Sequence, residues 1–155
     1  MLTVDEIARR VRDLGGGPVR GVDADGLRRL CESWGVERLP RVYLDFLSQL
    51  GVSAGELLRG TDGFFPEILS LPEDVEEFFA EDEGGMPRPP GVLVFAMHQG
   101  YQVYWMTDVT VPDPEVVLYT ERRPEPLMTW PSFTHFLNAE FELSYGSEAC
   151  SGVIG

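Results

Sequence analysis

Three short apolar runs in the second half of the chain carry its clearest hydrophobic pattern. They span residues 92–97, 101–106 and 116–119, with turn-forming residues between them at 98–100 and 112–114. Short runs of β-branched and aromatic residues bounded by Gly, Pro and Asp predict strands joined by tight turns. Because each connection is too short for a parallel crossover, we expect an antiparallel meander. The first run has no polar position, so we expect both faces of its strand to be covered.

Apolar residues at helical spacing predict three helices ahead of this meander. Thr3 and Glu6 form a capping box that opens the first helix. Asp23 or Asp25 caps the second helix. The third helix starts with Pro40 in its first turn and keeps apolar residues at i, i+3, i+4 and i+7. These helices provide apolar faces that can cover a sheet.

The segment between the third helix and the meander has weaker patterns. Residues 56–59 fit a short strand, and residues 63–66 fit an aromatic-bearing loop or an edge strand. Ser70 and Glu73 form a second capping box, which predicts a fourth helix. Residues 84–91 are rich in Gly and Pro, so we expect them to connect this helix to the first strand of the meander.

After the meander, the pattern predicts a short extended piece at residues 127–130 and a closing helix opened by Pro131 and Ser132. Residues 144–155 have small side chains and no periodicity, which predicts a flexible tail. Residues 1–143 are expected to form a single domain that begins with a helical part at 1–35. The order of elements predicts an α+β fold, an antiparallel β meander packed by helices.

The net charge of the chain limits the classes of partner that it is expected to bind. The formal net charge is −14, and all 12 basic residues are arginine. An acidic surface repels nucleic acid and anionic membranes, and it favours cationic partners or simply solubility. The chain has neither a membrane-length apolar run nor a secretory pattern at its start, so we expect a cytoplasmic protein. The absence of lysine indicates a GC-rich bacterial genome.

Residues with catalytic or metal-binding chemistry are few. Cys31 and Cys150 lie too far apart for a zinc or redox motif, and the helical stripe around Cys31 predicts a buried thiol. His98 is expected in an exposed turn and His135 on the closing helix, away from the aromatic stripe. Neither histidine neighbours a cysteine or a nucleophile motif. We therefore expect no catalytic residue, no metal site and no cofactor.

An acidic block before the meander is the sharpest feature of the charge pattern. It contains Asp62, Glu67, Glu73, Asp74, Glu76, Glu77, Glu81, Asp82 and Glu83, with no basic residue between them. The acids at 81–83 lie at the far end of the predicted helix, where its dipole disfavours negative charge by a few tenths of a kcal/mol. Two interpretations remain open, a solvated surface and a partner-binding surface. Phe64 and Phe65 also have two interpretations: they fill the core, or they lie on an exposed loop beside the acidic helix and anchor a partner.

Several short motifs occur in an order found in a known family. They are Leu39-Pro40 before a helix with Tyr43, Phe46-Leu47 and a closing Gly51, the strands at 92–97 and 101–106 around Gly100, and the segment 130–137 with Ser132, Phe133, Phe136 and Leu137. In this order the chain resembles the SMI1/KNR4 family of the SUKH superfamily over residues 39–141. It departs from that family at 50–52, where Asn-Gly-Gly is common, and at 98–100, where an acidic turn is common.

The resemblance implies a non-catalytic protein-binding domain. Many bacterial members of this family are immunity proteins that bind and neutralise a cognate polymorphic toxin, which implies a protein partner here. With the acidic block, we expect that partner to be a toxin domain with a basic face, and we expect neither nucleic acid nor a membrane as a partner. The alternatives are a scaffold or regulatory module without a toxin, and an enzyme or small-molecule binder with a pocket between sheet and helices. The sequence does not determine the oligomeric state.

Overall fold

A computed structural model describes the backbone of residues 1–154 and the side chains of residues 1–146. The helices of this part are α1 (Val4–Leu14), α2 (Ala24–Trp34), α3 (Arg41–Leu50), α4 (Leu71–Ala80) and α5 (Phe133–Ile154), with a 3-10 helix at Glu67–Ser70. The strands are β1 (Val19–Arg20), β2 (Ser53–Ala54), β3 (Thr61–Asp62), β4 (Leu93–His98), β5 (Gln102–Met106), β6 (Val116–Thr120) and β7 (Met128–Trp130).

Five of these strands form one antiparallel sheet in the order β3-β4-β5-β6-β7. The predicted meander of β4, β5 and β6 is confirmed, and the extended piece near residue 128 adds β7 at one edge. The strand predicted at residues 56–59 is wrong. Leu57 and Leu58 are buried in a turn, because β2 and β3 lie on either side of them and pair with different partners.

A β-bulge in β4 decides which face of the sheet receives Phe95. Val94 lies opposite Trp105, but Ala96 lies opposite Tyr104, so Phe95 is an extra residue in the ladder. Bulges re-aim side chains in this way. The Phe95 ring then lies 5.5 Å from that of Phe133 in α5.

Helices α3 and α5 cover this face with aromatic rings. Tyr43 of α3 lies 5.4 Å from Phe133 and 5.6 Å from Phe95, and Phe136 of α5 lies 5.4 Å from Tyr104. All five side chains are buried. Offset and edge-to-face pairs at these distances add to the stabilisation that burial provides.

Helix α4 covers the opposite face. Phe79 stacks on Tyr119 at 6.0 Å and lies 6.4 Å from Trp105, while Phe78 meets Tyr119 edge-on. The expectation that both faces of β4 are covered is thereby confirmed, since Val94 to Met97 are all buried.

The helix starts match the predicted caps at two of three places. Thr3 and Glu6 form the predicted capping box, and Asp23 accepts a hydrogen bond from the Gly26 N–H at 2.8 Å, which decides between its two candidate caps. The capping box predicted at Ser70 is wrong. The 3-10 helix runs directly into α4, so the Leu71 N–H donates to the Ile68 carbonyl and needs no side-chain acceptor.

The closing helix continues beyond residue 143, where the predicted domain ends. Phe141 and Tyr145 lie four residues apart with their rings at 5.3 Å, and Tyr145 is only 3% exposed. The Tyr145 hydroxyl donates to the Gly15 carbonyl at 3.0 Å and accepts from the Glu56 N–H at 2.8 Å. The packed unit therefore includes residue 145, two residues past the predicted boundary. The side chains of 147–154, and Gly155, lie outside the described part of the chain.

Candidate partner-binding surface

The outer side of α4 is uniformly acidic. Leu71, Val75 and Phe78 point into the core because residues three and four apart share one side of a helix. The opposite side carries four exposed acids, Glu73, Asp74, Glu76 and Glu77. Glu81, at the end of the helix, is exposed as well. We call these five side chains the α4 surface. They lie on the side of the helix opposite its buried apolar residues.

Two further acids of the predicted block lie on the same side of the sheet. Asp62 in β3 pairs with Met97, and Met97 pairs with Val103. The side chains of all three residues therefore lie on the sheet face that α4 covers. Glu67 lies in the 3-10 helix that leads into α4. Both side chains are exposed. The strand register thus assigns Asp62 to the sheet face that α4 covers, and Glu67 lies in the segment that enters α4, whereas the sequence showed only that these acids are close along the chain.

No described carboxylate between residues 62 and 83 forms an ion pair. The ion pairs among the described side chains join Arg28 to Asp25 and Glu32, and Arg59 to Glu56. Negative charges at i and i+3 or i+4 on a helix repel each other. Because no arginine neutralises it here, this surface has a negative potential that attracts cations.

Asp82 differs from the other acids of the block because it is a structural residue. Its carboxylate accepts a hydrogen bond from the Tyr119 hydroxyl at 2.6 Å and another from the Arg122 N–H. These bonds tie the end of the α4 segment to the sheet and to the turn after β6. Burial, and then the bond to Asp82, raise the pKa of Tyr119. The helix dipole disfavours a negative charge at Asp82, but the hydrogen bonds that this carboxylate accepts stabilise the fold and explain its presence.

Phe64 and Phe65 are half-buried and pack against the core. The Arg29 guanidinium lies 5.7 Å from the centre of the Phe65 ring, and the Phe65 N–H donates to the Gly51 carbonyl at 2.8 Å. One edge of Phe65, with Pro66, lines a surface groove of about 480 Å³. Phe65 and Pro66 thus form a fixed apolar wall of this groove, and neither the Phe64 ring nor the Phe65 ring projects freely into solvent.

The family model for "SMI1 / KNR4 family (SUKH-1)" matches residues 21–139, more than three-quarters of the chain. The chain belongs to the SMI1/KNR4 family. The match begins just before α2 and ends within α5, so it includes the whole five-stranded sheet and the α4 surface. No curated protein matches the chain.

Potentially reactive side chains of this SMI1/KNR4 domain are held in local structural contacts. His98 ends β4, where its Nδ1 lies 3.2 Å from Thr61 Oγ1, so it is half-buried at the strand end and not in an exposed turn. His135 is exposed and its Nδ1 lies 2.6 Å from Ser132 Oγ at the start of α5. Cys31 is half-buried, which raises the pKa of its thiol.

Two kinds of feature are absent from the described residues. No three His, Cys, Asp or Glu side chains of this part come together as a ligand set. None of its helices combines the length and the apolar character that a bilayer crossing requires.

Glu140 is a carboxylate that sequence reasoning passed over. It lies on α5 next to the aromatic stripe, and burial raises its pKa. Burial, with a smaller effect of the Glu140 charge, raises the pKa of Tyr104 to about 12. The sequence did contain a sign of this, since Glu140 follows Phe136 by one helical turn and precedes Phe141.

Proposed function

We propose that this SMI1/KNR4 domain is a non-catalytic immunity protein, which neutralises a cognate toxin by covering a cationic face of that toxin with the α4 surface. The observation that carries the proposal is the set of exposed acids on α4 that no described arginine pairs with. Family membership supports the binding role. Occlusion of the toxin's active face requires affinity and shape, and no reactive group.

Electrostatics support this choice of surface. Glu73 and Glu77 lie one turn apart on α4, as do Glu77 and Glu81. Each such like-charge pair destabilises the helix by about 0.2–0.5 kcal/mol. A cationic partner removes this repulsion on binding. Complementary charge also speeds diffusional encounter, most strongly at low salt.

Apolar contact would supply the slow dissociation that an immunity complex needs. Phe65 and Pro66 offer a fixed wall at the start of the segment that leads into α4. Since the Phe65 ring is held by the core and by Arg29, little side-chain entropy is lost when a partner covers its edge. The proposed interface therefore has an apolar end at Phe65 and a charged body along α4.

The test compares two triple variants in binding to a catalytically inactivated toxin domain encoded beside this chain's gene. The first, Glu76→Gln/Glu77→Gln/Glu81→Gln, removes three charges from the α4 surface. The second, Asp13→Asn/Asp45→Asn/Glu125→Gln, removes three exposed charges elsewhere. Asp82 is left unchanged in both because it holds the fold together.

We expect the α4 variant to associate about tenfold more slowly at low salt and with a flatter salt dependence, because steering charges act on the association rate. The control variant should stay close to the parent chain. Stopped-flow mixing at several salt concentrations measures the association rate and its salt dependence for each variant. Equal slowing in the two variants would show that only net charge matters, and an unchanged rate in the α4 variant would reject this surface.

A further inference from the structure

A second surface of the molecule has the opposite character. It is a groove of about 560 Å³ between the loop joining α2 to α3 and the loop joining β5 to β6. Its walls are mostly apolar: Val36, Leu39 and Pro40 lie on one side, and Val109, Val111 and Pro112 on the other. We call it the α3 groove because Arg41, the first residue of α3, is among its lining residues.

Both walls of the α3 groove are fixed in place. The Val42 N–H donates to the Pro112 carbonyl at 3.0 Å and so joins the two loops. The Asp113 carboxylate accepts from the Thr134 N–H at 3.0 Å and from its hydroxyl at 2.6 Å, which ties the second loop to the start of α5. The groove is thus preformed, and a ligand would not have to order it.

The charged residues that line this groove are positive on balance, although the chain as a whole is strongly acidic. Arg38 and Arg41 line it together with a single acid, Glu37. Neither arginine forms an ion pair or a side-chain hydrogen bond with another described residue. The first turn of α3 also contains no acidic residue, so no carboxylate of that turn offsets the positive end of the helix, although the Pro112 carbonyl accepts from one of its N–H groups.

We propose that the α3 groove docks a short peptide segment of a partner protein, one that carries apolar side chains flanked by carboxylates. An apolar side chain would lie between the two walls, and Arg38 and Arg41 would hold the carboxylates, for which the planar guanidinium is well shaped. Val111, which is 38% exposed at the groove, would be covered on binding.

The charge distribution favours this occupant over a polyanion. Two arginines match one or two carboxylates, whereas the net charge of −14 repels a nucleic acid or an anionic lipid surface. The apolar walls favour side chains that a small inorganic anion lacks. The proposal is independent of the α4 surface, which would bind the opposite charge.

The experiment titrates the isotope-labelled chain with a capped peptide of sequence Gly-Asp-Leu-Leu-Asp-Gly and follows backbone amide shifts by NMR. We expect the shifts to concentrate at residues 36–41 and 109–112. The double variant Arg38→Gln/Arg41→Gln should bind the peptide at least about tenfold more weakly, because hydrogen bonds to charged groups contribute more free energy than hydrogen bonds between neutral groups. Val111→Asp should weaken binding separately, through the apolar wall.

Three controls make the outcome decisive. Arg9→Gln/Arg12→Gln removes the same charge from exposed positions on α1, and it should leave peptide binding unchanged. A peptide with Lys in place of Asp should not bind. The variant Glu76→Gln/Glu77→Gln/Glu81→Gln should bind the acidic peptide normally, so that failure of the proposed toxin surface and failure of this proposal are separate results.

Several results would overturn the proposal. Absence of shifts at millimolar peptide would do so, as would an equal loss of binding in the α1 control. Equal binding of the Lys peptide would remove the role of the arginines. Propionate binding as tightly as the peptide would show a small-carboxylate site, and not a peptide-docking groove.

Discussion

The two faces of the central sheet are covered in different ways. On one face α3 and α5 form a closed aromatic cluster in which Tyr43, Phe95 and Phe133 are buried and touch one another. On the other face the single helix α4 lies with Phe79 only half-buried, and the Tyr119 hydroxyl donates a hydrogen bond to Asp82. The first face stabilises the fold by packing. The second leaves one whole side of its helix exposed to solvent.

This contrast predicts a difference in what core truncation costs on each face. Phe133→Ala should lower the free energy of unfolding by about 3–5 kcal/mol, because a fully buried ring leaves a cavity among other rings. Phe79→Ala should cost about 1–2 kcal/mol, since its ring is already partly in water. Urea unfolding followed by circular dichroism measures both values. If the two costs were equal, the contrast between the faces would be wrong.

Two tyrosines sharpen the comparison, because each has a different hydrogen-bonding environment. The Tyr119 hydroxyl donates to Asp82, accepts from the Met86 N–H and lies 3.0 Å from the Arg123 carbonyl, whereas the Tyr43 hydroxyl is buried without a described partner. Tyr119→Phe should therefore lower the free energy of unfolding by about 1–3 kcal/mol. Tyr43→Phe should leave it unchanged or raise it by up to about 1 kcal/mol.

The same unfolding assay tests this pair, with the two substitutions serving as controls for each other because both delete one hydroxyl. A loss of stability in Tyr43→Phe as large as that in Tyr119→Phe would mean that the Tyr43 hydroxyl is hydrogen-bonded in solution. Glu83→Ala, at an exposed position beside Asp82, should stay within about 0.5 kcal/mol of the parent chain.

The smallest expected effect concerns an acid on the packed face. Burial raises the pKa of Glu140 in the folded chain above its unfolded value, so folding favours the protonated form. The cost of holding the carboxylate ionised is fully present above the raised pKa and disappears as the pH falls through it. Glu140→Gln should therefore stabilise the chain at pH 7, and its advantage should shrink toward pH 4.

Unfolding at the two pH values measures this change, with Glu142→Gln as the matched control because Glu142 is exposed on the same helix. The control should show no comparable gain at pH 7. A gain for Glu140→Gln that grew as the pH fell would contradict the assigned direction of the shift. The acids of the α4 surface are exposed to solvent, whereas Glu140 is partly buried. The two faces of the sheet therefore also differ in how far their carboxylates are removed from water.

Much of the fold could be predicted because its information is local. Short apolar runs bounded by turn-forming residues predicted β4, β5 and β6, and the cap at Asp23 and the capping box at Thr3 predicted helix starts. Those patterns act through neighbouring residues along the chain, so the sequence displays them directly. The short strand β3 escaped prediction because two residues carry no periodicity, and it forms only by pairing with β4.

The candidate surfaces were predictable only in part, because they depend on contacts between residues that are distant along the chain. The acids of α4 were visible as a block, but the separate role of Asp82 depends on Tyr119 and Arg122, about 40 residues away. The α3 groove was invisible, since its walls come from two loops about 70 residues apart in sequence.

By itself, then, the sequence determined the α+β architecture, the strongly acidic character and the membership of the SMI1/KNR4 family, because hydrophobic spacing and composition are properties of the chain. Only the tertiary structure decided that Phe95 turns toward α5, that one acid of the block is structural while its neighbours are exposed, and that two arginines meet an apolar groove. These outcomes depend on strand register and on contacts between distant segments, and local preferences do not encode them.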